Sequence, residues 1–139
     1  MNPETVFSLA NGLALLGWIS LALVPRRTSH LIAGALIPLG LAIAYASLLG
    51  ARMGHTQGSF SSLAQVALLF SDPWLLLAGW IHYLAFDLFI GSWEARDAER
   101  SGVPRWALTI CLFLTFLIGP VGLLAYLGAR AFRTRSLAV

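Results

Sequence analysis

The stretch PWLLLAGWIHYLAFDLFIGSWE, residues 73–94, decides the fold. It opens on a proline, which suits the first turn of a helix. It then stays apolar long enough to cross a bilayer, which takes about 20 residues. Yet it carries His82, Asp87 and Glu94. An ionisable side chain at membrane depth is costly and by default marks function.

Working outward, three further stretches have the length and apolarity of spans. The first covers about residues 6–24 and stops at Pro25-Arg26-Arg27, the second about 31–49, and the fourth about 103–127. Gly119-Pro120 lies inside the fourth and should kink it, because proline removes a backbone donor and clashes with the preceding turn. Residues 60–70, FSSLAQVALLF, are apolar but too short to span. Phe60, Leu63, Ala64, Ala67 and Phe70 recur at helical spacing, which predicts a short interfacial or re-entrant helix. Glycines within the spans favour close helix packing. The expected fold is therefore all-α: one integral membrane domain over residues 1–139, a bundle of four transmembrane helices plus the short helix.

Composition agrees. Apolar residues make up 58% of the 139 and charged residues 11%, against roughly 45–50% and 25% in soluble domains. The net charge is +3, and all nine basic residues are arginine. They punctuate the ends of apolar runs, as residues at a membrane surface do. Nucleic-acid binding would need a basic stripe tracking phosphates, and there is none. The single cysteine, Cys111, lies in an apolar run and reads as a small buried residue. The first residues, Met-Asn-Pro-Glu, lack the charge and cleavage site of a secretory signal. The first span is thus expected to be retained, in a bacterial plasma membrane. Four spans would put Arg26, Arg27, Arg96, Arg100 and Arg105 on one side, and Arg52, Arg130, Arg133 and Arg135 on the other. That slight bias favours the first group inside and both termini outside.

Helical geometry sorts the polar residues of the third span. At about 100° per residue, Leu76, Trp80, Tyr83, Asp87, Gly91 and Glu94 share one stripe. His82 lies roughly 140° from Asp87 on the same reckoning and shares a second stripe with Phe86, Phe89 and Trp93. Up-and-down threading brings Asn11, Tyr45 and Tyr126 into one half of the bundle, with Thr109 and Thr115 bracketing Asp87 in depth. A desolvated carboxyl without partners favours its neutral form, which makes Asp87 a candidate proton donor. Glu94, Asp97 and Glu99, with Arg96 and Arg100, read as a solvated charge cluster, although Glu94 continues the Asp87 stripe. The spacing of His82, Asp87 and Glu94 is neither i+3 nor i+4, so a metal centre is not expected.

The run WIHYLAFDLFIGSWEARDAERSGVPRW, residues 80–106, resembles the signature of the neoxanthin-synthase-like (abscisic acid deficient 4-like) membrane proteins. Asn11 and Trp18 before Pro25, and FLIGPVGLLAYL at residues 116–127, extend the resemblance over nearly the whole chain. It implies a four-span protein of xanthophyll metabolism, whose plant reaction converts an epoxy-carotenoid to an allenic isomer. That chemistry needs an acid and a base but no redox cofactor. His82 and Asp87 match the block and are expected to be catalytic. Trp80, Tyr83, Asn11, Tyr45 and Glu94 are expected to bind substrate. The expected partners are the lipid bilayer and a lipophilic small molecule such as a carotenoid, with homo-oligomer formation left open. The alternatives are a non-catalytic pigment- or lipid-binding protein accessory to a carotenoid enzyme, and a proton-coupled transport module. The latter finds no internal repeat in its favour.

Overall fold

The computed structural model describes residues 2–23 and 26–136. Val24 and Pro25, where the first span was expected to stop, lie outside the described residues. Helix α1 (Pro3–Leu23) buries a face of small residues, Ala10, Ala14, Gly17 and Ser20, which lets a neighbouring backbone come close. Asn2 caps it, accepting from the Thr5 amide at 2.9 Å and the Thr5 hydroxyl at 2.7 Å.

The second apolar stretch forms α2 (Arg26–Leu31), a π-helical turn (Ile32–Leu36) and α3 (Ile37–Arg52). Pro38 accounts for the wide turn, since it has no amide hydrogen to continue the regular ladder. A seven-residue helix, α4 (Leu63–Leu69), follows within the stretch expected to be helical, capped by Ser62. Helix α5 (Pro73–Ser101) has 29 residues and starts on Asp72, whose carboxyl accepts from the amides of Trp74 and Leu75. It ends at Gly102, at a left-handed φ of 70°.

Helix α5 is the central element. Its Leu77, Ile81, Ala85 and Leu88 pack into a core with Ala10 and Ala14 of α1 and Ala33, Ile37 and Leu41 of the second stretch. Further along, Ala98 joins Val103, Cys111 and Tyr126 in a second cluster.

The fourth apolar stretch departs from expectation. It is two helices, α6 (Arg105–Ile118) and α7 (Pro120–Thr134), and α7 turns back along α6. Arg133 Nε, near the end of α7, donates to the Gly102 carbonyl at 3.2 Å, just before α6 begins. Tyr126 and Arg130 reach Asp97 of α5 at 2.6 and 2.7 Å. Three features make the turn. Gly119 takes φ 31° and ψ −91°, which a side chain would disfavour. Pro120 begins α7 without needing an amide partner. At Gly122 the arms touch so closely that a Cβ would overlap the Thr115 amide and hydroxyl. Each arm, of 14 or 15 residues, extends only about 21–23 Å, short of a hydrocarbon core of about 30 Å.

Among the described residues, three helices are thus long and apolar enough to cross a membrane: Pro3–Leu23, Arg27–Arg52 and Pro73–Ser101. The kinked fourth span is replaced by a helical hairpin. This also revises the placement of charge. Arg130, Arg133 and Arg135 return to the end that holds Arg26, Arg27, Arg96, Arg100 and Arg105, leaving Arg52 alone at the other end, over the Trp74 ring.

Candidate functional site

One stripe of α5 faces the hairpin. Tyr83, Asp87, Gly91 and Glu94 succeed one another along it, as helical spacing requires. The Asp87 carboxyl lies against the hairpin tip, where a Cβ on Gly119 would meet its Oδ1 at 2.5 Å and its Oδ2 at 2.8 Å. The Oδ2 atom is buried and has no hydrogen-bond partner among the described residues. Tyr83 lies one helical turn before Asp87 on this stripe, and its hydroxyl donates to the Leu117 carbonyl at 3.4 Å.

Glu94 is wholly buried. Its carboxylate oxygens accept from the Thr115 hydroxyl at 3.0 and 3.1 Å. It lies about 10 Å along the axis from Asp87. The expected solvated cluster is therefore split. Glu94 leaves it for the interior, while Asp97 ties α5 to α7 through Tyr126 and Arg130. Thr109 and Thr115 do not bracket Asp87: Thr115 lies at Glu94 and the tip Gly119 at Asp87, so both threonines fall on the Glu94 side. Tyr126 lies with Asp97 rather than with Asn11 and Tyr45, since the hairpin carries it back.

A groove of about 570 Å³ opens between α1, α2, α5 and α6. Trp18, Leu21, Leu112, Phe113 and Phe116 give it apolar walls, and Ser29, His30, Glu99 and Arg105 stand at its polar end. The Trp18 ring in its lining is edge-on to Phe116, with centroids 5.5 Å apart. That ring rests on Gly91, where a Cβ would overlap it. Gly91 lies on α5 between Asp87 and Glu94.

The profile of the ABA DEFICIENT 4-like family matches residues 5–126. The chain belongs to that family. The match takes in α1 through α5 and the hairpin as far as Tyr126. It marks an ABA DEFICIENT 4-like membrane protein connected with carotenoids or xanthophylls. No curated protein and no solved structure matches the chain.

In this ABA DEFICIENT 4-like protein the residues singled out from sequence fall into three groups. Asp87, Tyr83 and Glu94 share the stripe at the hairpin. Trp80 lies further along and faces α1: its Nε1 donates to Asn11 Oδ1 at 3.1 Å, and its ring is 5.3 Å from that of Tyr83. His82 is on another face, stacked on Phe86 at 4.5 Å and 5.5 Å from Tyr45. There it lines a smaller cavity of about 240 Å³ with Tyr45, Phe60 and Phe70. Asp87 and His82 are therefore not brought together. Among the described residues no three His, Cys, Asp or Glu side chains are grouped to hold a metal. Sequence reasoning missed Gly119 as a contact of Asp87. Its only signal was the Gly-Pro pair, which marks a break without giving its direction.

Proposed function

We propose that this ABA DEFICIENT 4-like chain is a membrane-embedded isomerase that acts on a carotenoid or related isoprenoid by proton transfer at Asp87. One observation carries the reading: a carboxyl at membrane depth keeps a buried oxygen, Oδ2, without a hydrogen-bond partner among the described residues. Such an arrangement is expensive, and at membrane depth it marks function by default. Membership of the ABA DEFICIENT 4-like family supports the choice of substrate class.

The chemistry suits one carboxyl. Converting an epoxide to an allenic alcohol adds and removes no electrons overall. The epoxide oxygen takes a proton, its C–O bond breaks, and the neighbouring carbon loses a proton as the new double bond forms. Asp87 as a neutral acid gives the first proton, and the resulting carboxylate takes the second. Turned from the Leu117 carbonyl it now reaches, the Tyr83 hydroxyl steadies that carboxylate by a charge-assisted hydrogen bond. Reaching Oδ2 requires the hairpin tip to give way at Gly119, the residue that covers it. His82 and Tyr45 face the other cavity and enter no step.

The test is pigment analysis after expression in a host that makes epoxy-carotenoids. The wild-type chain should yield an isomer of unchanged mass. Asp87→Asn should reduce it by about 100-fold or more, the scale of a lost general acid–base. Identical pigments with and without the protein would sink the reading. The groove also favours a second reading, a non-catalytic pigment binder. Stoichiometric co-purified pigment with no isomer formed would establish that one.

A further inference from the structure

We infer that the groove between α1, α2, α5 and α6 seats the ligand, and that its polar end recognises a hydroxyl at the end of an otherwise apolar molecule. The isoprenoid nature of that molecule rests on the proposed function; the groove and its polarity do not.

Its volume, about 570 Å³, is within the usual range for small-molecule sites, about 300–1,000 Å³. Its walls are aliphatic and aromatic, so the body of the ligand must be apolar. Glu99 and Arg105 at the polar end bring opposite charges together, with Ser29 and His30 beside them. Such a set offers both donors and acceptors. A neutral hydroxyl can use both at once, whereas a phosphate or carboxylate would meet the Glu99 carboxylate. From Arg105 to Phe116 the groove runs about 16 Å along α6. A ligand held by its hydroxyl at one end is therefore directed along the groove to the Trp18 ring. Beneath that ring Gly91 lies one helical turn from Asp87 and three residues from Glu94. Ala95 and Glu99 of the groove lining continue, at four-residue spacing, the face of α5 that carries Gly91.

The experiment is a tryptophan-quenching titration of the purified full chain in mild detergent. The probes are a hydroxylated carotenoid and the hydrocarbon carotenoid of equal chain length. The hydroxylated probe should bind about tenfold more tightly, the scale of a satisfied hydrogen-bonding end. Glu99→Gln and Arg105→Gln, both at exposed positions, should each remove most of that preference and leave the hydrocarbon unchanged. Ala22→Phe, which fills the groove from an exposed position on α1, should weaken both probes about tenfold. Equal affinity for the two probes, indifference to all three variants, or displacement by excess phospholipid would overturn the inference.

Its fate is separable from that of the proposed reaction. Groove variants that bind normally, beside an Asp87→Asn that forms no isomer, would refute the groove and keep the reaction. The expected binding pattern, with no isomer from the wild type, would keep the groove and refute the reaction.

Discussion

Asp87 and Gly119 form the contact on which the site turns. Gly119 is strained for any other residue, with φ 31°, and has no room for a Cβ beside the Asp87 oxygens. Gly119→Ala should cost about 1–3 kcal/mol and reduce isomer formation together with thermal stability in detergent. An alanine variant as stable and active as wild type would refute the contact. Thr115→Val tests the neighbouring group. It leaves a buried carboxyl at Glu94 without the hydroxyl that now serves both its oxygens. The expected loss is about 1–2 kcal/mol, read as a lower unfolding midpoint, with Thr115→Ser restoring most of it. Asp87 was legible in the sequence because lipid makes any deep carboxyl conspicuous. Its stripe with Tyr83 and Glu94 was legible because helical spacing is fixed. Thr115 as the partner of Glu94 was not, since pairing between helices depends on how the fourth stretch is threaded.

At the scale of the element, the hairpin of α6 and α7 is held at its open end by Asp97. That carboxylate receives Tyr126 and Arg130 at 2.6 and 2.7 Å, with both members of the ion pair nearly nine-tenths buried. Arg130→Gln should remove about 2 kcal/mol, and limited proteolysis should then cut α7 well before the rest of the chain. Uniformly slow cleavage across α5, α6 and α7 would contradict this. Hydropathy cannot separate a kinked span from two arms that return, because both bury the same apolar residues. What decides is the torsion at Gly119 and the contact of Gly122 with Thr115, both set by packing and only hinted at by Gly-Pro. The long helices were legible for the opposite reason. Each presents an apolar run that fills the bilayer by itself, and α5 carries its own start and stop in Asp72-Pro73 and Gly102.

For the whole molecule, the hairpin changes the sense of the charge pattern. Threaded as four spans, the nine arginines divide almost evenly and give little direction. With α7 turned back, eight gather at one end: Arg26, Arg27, Arg96, Arg100, Arg105, Arg130, Arg133 and Arg135. Arg52 alone remains at the other. A bias of that size predicts that the arginine-rich end faces the cytoplasm, with the N-terminus across the membrane from the C-terminus. The polar end of the groove, at Glu99 and Arg105, would open at that cytoplasmic face. The return of the chain at Gly119 places the hairpin tip on Asp87, and the account of the site depends on it. Single cysteines test it directly. Glu4→Cys, Ser101→Cys and Ser136→Cys, each in a Cys111→Ser background, can be probed with a membrane-impermeant maleimide in sealed vesicles of known orientation. Positions 101 and 136 should react from the same side and position 4 from the opposite side. Labelling of position 136 from the side of position 4 would show that the fourth stretch crosses the membrane, and would contradict the hairpin.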